Sequence, residues 1–338
     1  MKRILIKIGT NVITKENGLL NTKVMAQIVA QIVKLKKQGI EVIIVSSGAM
    51  GAGRALVTPH SKNKVVQRQI LASVGQIKLL EKYSALFAKH KYITAQVLAT
   101  KEDFRDRMHY LNMQNCFQAL LRDKIVPIVN ENDVISVSEI MFTDNDELAG
   151  LIASMMNVDQ LFLLTSVDGI LDDKGKVIKN PNDSSKKHIT QEKSEMGRGG
   201  MSTKLNIAQK LASLGTKTFI VNGQKPDCIT NPQGSEFPAK KTSTKQVKKW
   251  IAMAEGKAKV HINDCTTKII KERSISLLPI GITKIEGQFE KGDILSIISD
   301  SGQEIGLGKA QYGHKAAKKI IGKKGQKALI HCDYLTLI

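Results

Sequence analysis

Apolar runs of strand length alternate with helix-period segments through the first 256 residues of this 338-residue chain, and that alternation limits the fold more than any other feature. Helical periodicity covers about 22–38, closed by Gly39, then 64–88, 109–123, 145–157 and 203–214, closed by Gly215. The runs 3–8, 41–46, 93–98, 125–130, 160–165 and 217–222 read as buried strands. Such a pattern predicts an α/β fold, a mostly parallel sheet between helix layers that gathers its ligands at the carboxyl ends of the strands. Composition then changes near Glu255-Gly256-Lys257. Beyond it, short β-rich segments separated by glycines predict a small barrel or open sheet, interrupted only by a short helix around 314–321. The expected domains are therefore 1–256 and 257–338, and the length suffices for both cores.

Polar residues gather where these strands end. Arg3-Ile4-Leu5-Ile6-Lys7-Ile8 carries one lysine in an apolar strand and runs into Gly9-Thr10-Asn11. A strand covered on both faces has little use for Lys7 unless its ammonium meets an anion, although a snorkelling lysine on an edge strand has the same pattern. The strand 41–46 runs into Ser47-Gly48-Ala49, and 125–129 into Asn130-Glu131-Asn132-Asp133. Phe142-Thr143-Asp144-Asn145-Asp146-Glu147 precedes the next helix. Carboxylates and amides this dense are poor core material, since each buried charge needs a partner or a ligand. Asp144 and Asp146 are also candidate helix caps. Finally, Gly197-Arg198-Gly199-Gly200-Met201-Ser202-Thr203-Lys204 leaves backbone N–H groups bare before a helix, with a lysine beside them, as an anionic phosphate requires. Taken alone, this run reads equally as a flexible lead into a helix. It is not a Walker A loop, and the protein-kinase His-Arg-Asp and Asp-Phe-Gly pair is absent from the chain. Two lysines joined to strand-end acids are nonetheless what phosphoryl transfer needs, because that reaction asks the protein for positioning and charge.

Composition excludes several other classes. The net charge of +20 is spread along the chain, with 14 Lys/Arg against 8 Asp/Glu in residues 257–338, so it marks no nucleic-acid groove. Six lysines without an acid at 315–327 read as a solvated face. The four cysteines form no Cys-x-x-Cys pair, which argues against a disulfide framework or zinc ribbon, and no apolar stretch reaches the ~18 residues of a membrane span. A cytoplasmic enzyme is expected.

Lys7-Ile8-Gly9-Thr10, Val45-Ser46-Ser47-Gly48-Ala49, Val129 to Asp133, Thr143 to Asp146 and Gly199 to Lys204 together resemble the amino-acid kinase family. Asn-Glu-Asn-Asp, Gly-Gly-Met-Ser-Thr-Lys and the tail in one chain look most like its glutamate-phosphorylating branch, rather than the aspartate, acetylglutamate, carbamate or uridylate branches. From about 257, with Ser276-Leu277-Leu278-Pro279-Ile280-Gly281, the chain resembles a PUA domain. The resemblance implies ATP-dependent phosphorylation of the γ-carboxylate of L-glutamate, the first step towards proline, in a homo-oligomer (dimer or tetramer) that contacts glutamyl phosphate reductase transiently. It implies Lys7 and Lys204 on the transferring phosphoryl group, with Asp144 orienting them. Ser47, Asn130, Asp133 and Asn145 would hold glutamate, and Lys7, Gly9, Thr165, Ser166, Arg198, Gly199, Gly200, Met201, Ser202, Thr203 and Lys204 would hold ATP. Mg2+ is expected on the ATP phosphates and not in a protein cage. The chain departs from the family pattern at Ser166, at Arg198 and in a shorter segment 172–196. Another activity of the family, on aspartate or acetylglutamate, and RNA binding by the tail are the alternatives, although few aromatics lie near the tail's lysines to stack bases.

Overall fold

A computed structural model describes residues 2–15, 17–136, 142, 144–181, 200–241, 246–273 and 275–337, in two compact units, Met1–Thr242 and Ser243–Ile338. The first unit runs β1 (Arg3–Ile8), α1 (Thr10–Ile13), α2 (Thr22–Lys37), β2 (Glu41–Ser46), α3 (Ala49–Arg54), α4 (Lys64–Ala88), β3 (Thr94–Ala99), α5 (Lys101–Arg105), α6 (Arg107–Arg122), β4 (Val126–Glu131), α7 (Asn145–Met155), β5 (Gln160–Thr165), α8 (Met201–Ser213), β6 (Lys217–Asn222) and β7 (Gly234–Phe237). The seven strands form one sheet in the order β3-β4-β2-β1-β5-β6-β7, parallel except for β7. The expected parallel sheet is thus present, with an antiparallel edge strand that four residues were too few to signal.

Local chemistry starts the helices. Asn21 accepts from Val24 N–H, Asn63 from Val65 and Val66 N–H, and Asp106 from His109 N–H, each satisfying a donor that a helix start leaves unpaired. Gly39 and Gly215, both at positive φ, let the chain leave α2 and α8.

Alternation along the strands decides which face meets which helix. Ile4, Ile6 and Ile8 of β1 join Ile28, Ile32, Leu79 and Phe87 of α2 and α4 in one core. Lys7, on the opposite face of β1, meets Asp146 of α7 instead, which Lys204 of α8 also reaches. Register brings the carboxyl ends level: Ile8 pairs with Ser46 and Leu164, Val45 with Val129, and Thr165 with Asn222.

The second unit contains α9 (Gln246–Met253), β8 (Ala258–Ile262), α10 (Asp264–Glu272), β9 (Ile282–Glu286), β10 (Ile294–Ser299), β11 (Glu304–Ala310), α11 (His314–Ile320) and β12 (Ile330–Leu337). Its sheet order is β12-β11-β10-β8-β9, around a core that includes Val260, Ile262, Leu295, Ile297 and Ile330. The compositional change at Gly256 falls inside this unit, after α9. The expectation of a single helix there needs correction, because α10 is a nine-residue helix capped by Asn263 that buries only Ile270 among its own residues. Nine residues are too few for it to stand out among the short strands around it. Among the described residues no helix is long and apolar enough to cross a membrane.

Candidate active site

Two lysines far apart in sequence converge on one carboxylate. Lys7 Nζ lies 2.6 Å from Asp146 Oδ1, and Lys204 Nζ lies 2.9 Å from Asp146 Oδ2. Asp146 is fully buried and both lysines nearly so. Burial disfavours the Asp146 charge, yet Lys7 and Lys204 outweigh it and hold the carboxyl below its ordinary range. Two ammonium groups held side by side in a dry setting suit a polyphosphate.

Asp144, expected to orient the lysines, lies within reach of their charge but makes no ion pair with either among the described residues. It is the N-cap of α7, with extended backbone (φ −161°, ψ 173°), and its Oδ1 accepts from Asp146 N–H at 2.8 Å and Glu147 N–H at 3.0 Å. The carboxylate between the lysines is therefore that of Asp146, one turn-residue inside the helix, while Asp144 fixes the helix start. Burial, reinforced by the Asp146 charge, pushes the Asp144 carboxyl up to about 6. Its Oδ2 is buried with no hydrogen-bond partner among the described residues.

Beside the triad runs a chain of polar side chains. Asn145 Nδ2 donates to Ser47 Oγ at 2.8 Å and to Asn130 Oδ1 at 2.9 Å, and Asn130 Nδ2 donates to Gln76 Oε1 at 2.8 Å. Ser47 is held by its own N–H on the Ile8 carbonyl, and Gly48, at φ +103°, supplies the turn into α3 that an L side chain disfavours. Asp133 lies 3.4 Å from Arg68 of α4; burial raises its pKa and Arg68 opposes the rise. Glu131 accepts from Phe142 N–H at 2.9 Å, and burial pushes its carboxyl up to about 7 against that bond. A second, half-buried pair, Lys101 with Glu147 at 3.0 Å, braces the first turn of α7.

The expected nucleotide residues gather at the neighbouring strand ends. Gly9 donates to the Leu164 carbonyl at 3.2 Å, and a Cβ there would crowd that oxygen and approach Lys7 Nζ. Thr165 carbonyl accepts from Gly223 N–H, and Ser166 carbonyl from Asn222 Nδ2. Asn222 and Lys225 both engage Asp168, and the Lys225 and Asn222 bonds hold its carboxyl below the ordinary range. Gly200 is the N-cap of α8 with no side-chain cap, so Met201, Ser202 and Thr203 begin the helix beside Lys204. Arg198 and Gly199 lie outside the described residues, as does Thr143.

Gln76, Arg68, Lys101 and the central position of Asp146 did not emerge from the sequence. For Gln76 a signal existed: it interrupts a buried stripe of Ala72, Leu79 and Tyr83 at helical spacing on α4. Among the described residues the one group of three metal-type ligands, His331, Cys332 and Asp333, lies on β12 and not at this site.

Comparison with known proteins identifies two families in the chain. Residues 2–222 match the amino acid kinase family, and residues 258–331 match the PUA domain. The chain is 46% identical to glutamate 5-kinase of Chlorobaculum tepidum over 100% of its own length and 98% of that protein's. It is 44% identical to glutamate 5-kinase of Bacteroides thetaiotaomicron over 98% of each. Carbamate kinase from Giardia lamblia, solved bound to AMP-PNP, shares the fold at 18% identity with a TM-score of 0.52, over 71% of this chain and 99% of that one.

Proposed function

The chain belongs to the amino acid kinase family and, within it, to the glutamate 5-kinases, and from that premise we propose how its residues divide the work of phosphorylating L-glutamate. A γ-carboxylate oxygen attacks the γ-phosphorus of ATP, the bond from that phosphorus to the β,γ-bridging oxygen breaks, and ADP leaves with the electron pair. The acceptor is ionised at neutral pH, so no general base is needed and no proton moves. Lys7 and Lys204 neutralise charge on the transferring group, and Asp146 fixes the two ammonium groups where that charge develops. Asp144 holds the start of α7 and thereby Asp146. Ser47, Asn130, Asp133 and Asn145 receive glutamate. Gly9, Thr165, Ser166, the 198–203 segment and the two lysines receive ATP.

Magnesium carried by the ATP phosphates fits this donor set through Asp144 Oδ2, which is buried with no hydrogen-bond partner among the described residues. When bound, it neutralises phosphate charge. The product is an acyl phosphate prone to hydrolysis, so transient contact between a homo-oligomeric cytoplasmic kinase and glutamyl phosphate reductase completes the proposal.

The observation that carries this reading is the lysine–aspartate–lysine triad beside the hydrogen-bonded chain of Ser47, Asn145 and Asn130. The test is ADP release with magnesium over glutamate, aspartate, acetylglutamate and carbamate. Stimulation by L-glutamate alone is expected. Stimulation by another acid, with none by glutamate, overturns the assignment.

A further inference from the structure

Gln76 is a buried amide in an otherwise apolar stripe of α4, far in sequence from every residue assigned to substrate. A polar side chain so placed must be paired or serve a purpose beyond packing. Only half of it is paired: Oε1 accepts from Asn130, while Nε2 is buried with no partner among the described residues. The close approach that brings it there is built in, since Gly75 is the position where α4 lies against the Ala49 carbonyl, and a Cβ would collide with that oxygen.

We infer that Gln76 is a positioning residue for substrate recognition: by accepting from Asn130 it sets the direction of the amide chain so that Ser47 presents its hydroxyl proton to a substrate carboxylate. The inference rests on the glutamate-kinase reading and deepens it. With Asn130 Nδ2 committed to Gln76, Asn130 turns Oδ1 towards Asn145. Asn145 then commits its Nδ2 twice, to Asn130 and to Ser47 Oγ. An amide nitrogen has two N–H donors, so both are used. Ser47 Oγ accepts from Asn145 and must direct its own O–H elsewhere, while Asn145 Oδ1 stays an acceptor. An ionised carboxylate only accepts, and an ammonium only donates. The chain in this direction offers one group suited to each. Reversed, with Asn130 donating towards Asn145 Oδ1, it would draw the Ser47 proton to Asn145 and turn an oxygen lone pair on the carboxylate.

The test compares Gln76→Met, which keeps the length but removes the acceptor, with Gln76→Glu, which keeps an acceptor oxygen and loses the N–H. Steady-state kinetics in both substrates and thermal unfolding are measured beside the unsubstituted enzyme. Gln76→Met should raise the glutamate KM roughly tenfold, the scale of one misdirected buried hydrogen bond, with the ATP KM held within about twofold. Gln76→Glu should restore the glutamate KM to within about threefold of the unsubstituted value, because only acceptance is required. A folded Gln76→Met enzyme with an unchanged glutamate KM overturns the inference, as does a Gln76→Glu enzyme as impaired as Gln76→Met. If Gln76→Met does not fold, Gln76→Glu decides: a near-normal KM supports the role, and a tenfold rise without loss of Tm refutes it. Failure of the unsubstituted enzyme to use glutamate would instead overturn the underlying reading.

Discussion

Asp146 stays ionised with no exposure to water because two ammonium groups surround it, so its removal leaves two buried positive charges facing each other. Asp146→Asn and Lys204→Ala should each lower kcat by roughly 10²-fold or more, the scale of one preorganised charge in a transition state. Asp133→Ala, which removes a carboxylate assigned to glutamate, should mainly raise the glutamate KM. Steady-state kinetics check both, and identical patterns would contradict separate phosphate and glutamate positions. Glu131 supplies a pH prediction. Its carboxyl is raised from 4.5 to about 7, so between those values the folded chain holds a proton that the unfolded chain has released. Stability from this group is present below pH ~4.5 and is lost as pH rises towards ~7. Glu131→Gln, which can still accept from Phe142, should therefore gain Tm relative to the unsubstituted protein on going from pH 5 to 8. A constant Tm difference across that range would contradict it. Lys7 and Lys204 were legible in the sequence because an ammonium in an apolar strand or before a bare helix start has few other uses. Asp144 and Asp146 were not separable, since the cap geometry that turns one onto its own helix and the other onto the lysines appears only when α7 is built.

At the scale of elements, α3 and α4 meet through glycines. Side chains at Gly53 or Gly75 would collide with the Leu71 carbonyl or the Ala49 carbonyl, so the two helices approach backbone to backbone and hold the turn after Ser47 against the helix that carries Arg68 and Gln76. Gly75→Ala should lower Tm by roughly 5 °C through overpacking and raise the glutamate KM along with it. Thermal unfolding and kinetics check this, and a Tm at or above the unsubstituted value would contradict the close approach. The inner strands of the first sheet were readable because both faces are covered and their apolar runs are unbroken, as in β2 and β6; β3, expected as a buried strand, is instead an edge strand in which only Ala99 is buried, with Leu98 exposed. The four-residue β7 was too short to show a period, and α10, nine residues long with only Ile270 buried, was too short to stand out among the strands around it.

On the scale of the whole molecule, every group in the proposed chemistry belongs to the first compact unit, Met1–Thr242, which has its own core. A chain ending at Thr242 should fold and retain glutamate-dependent phosphorylation, as circular dichroism and ADP release would establish. A soluble, folded, inactive truncation would show that the second unit completes the site. The central claim is that a glutamate γ-carboxylate oxygen becomes bonded to the γ-phosphorus of ATP in a site ordered by Asp146. Oxygen-18 in the γ-carboxylate tests it directly when the product is trapped with hydroxylamine, which cleaves at the carbonyl carbon and releases phosphate. The account predicts one labelled oxygen in each released phosphate, in amounts equal to ADP and hydroxamate. ADP release yielding unlabelled phosphate and no hydroxamate would contradict it.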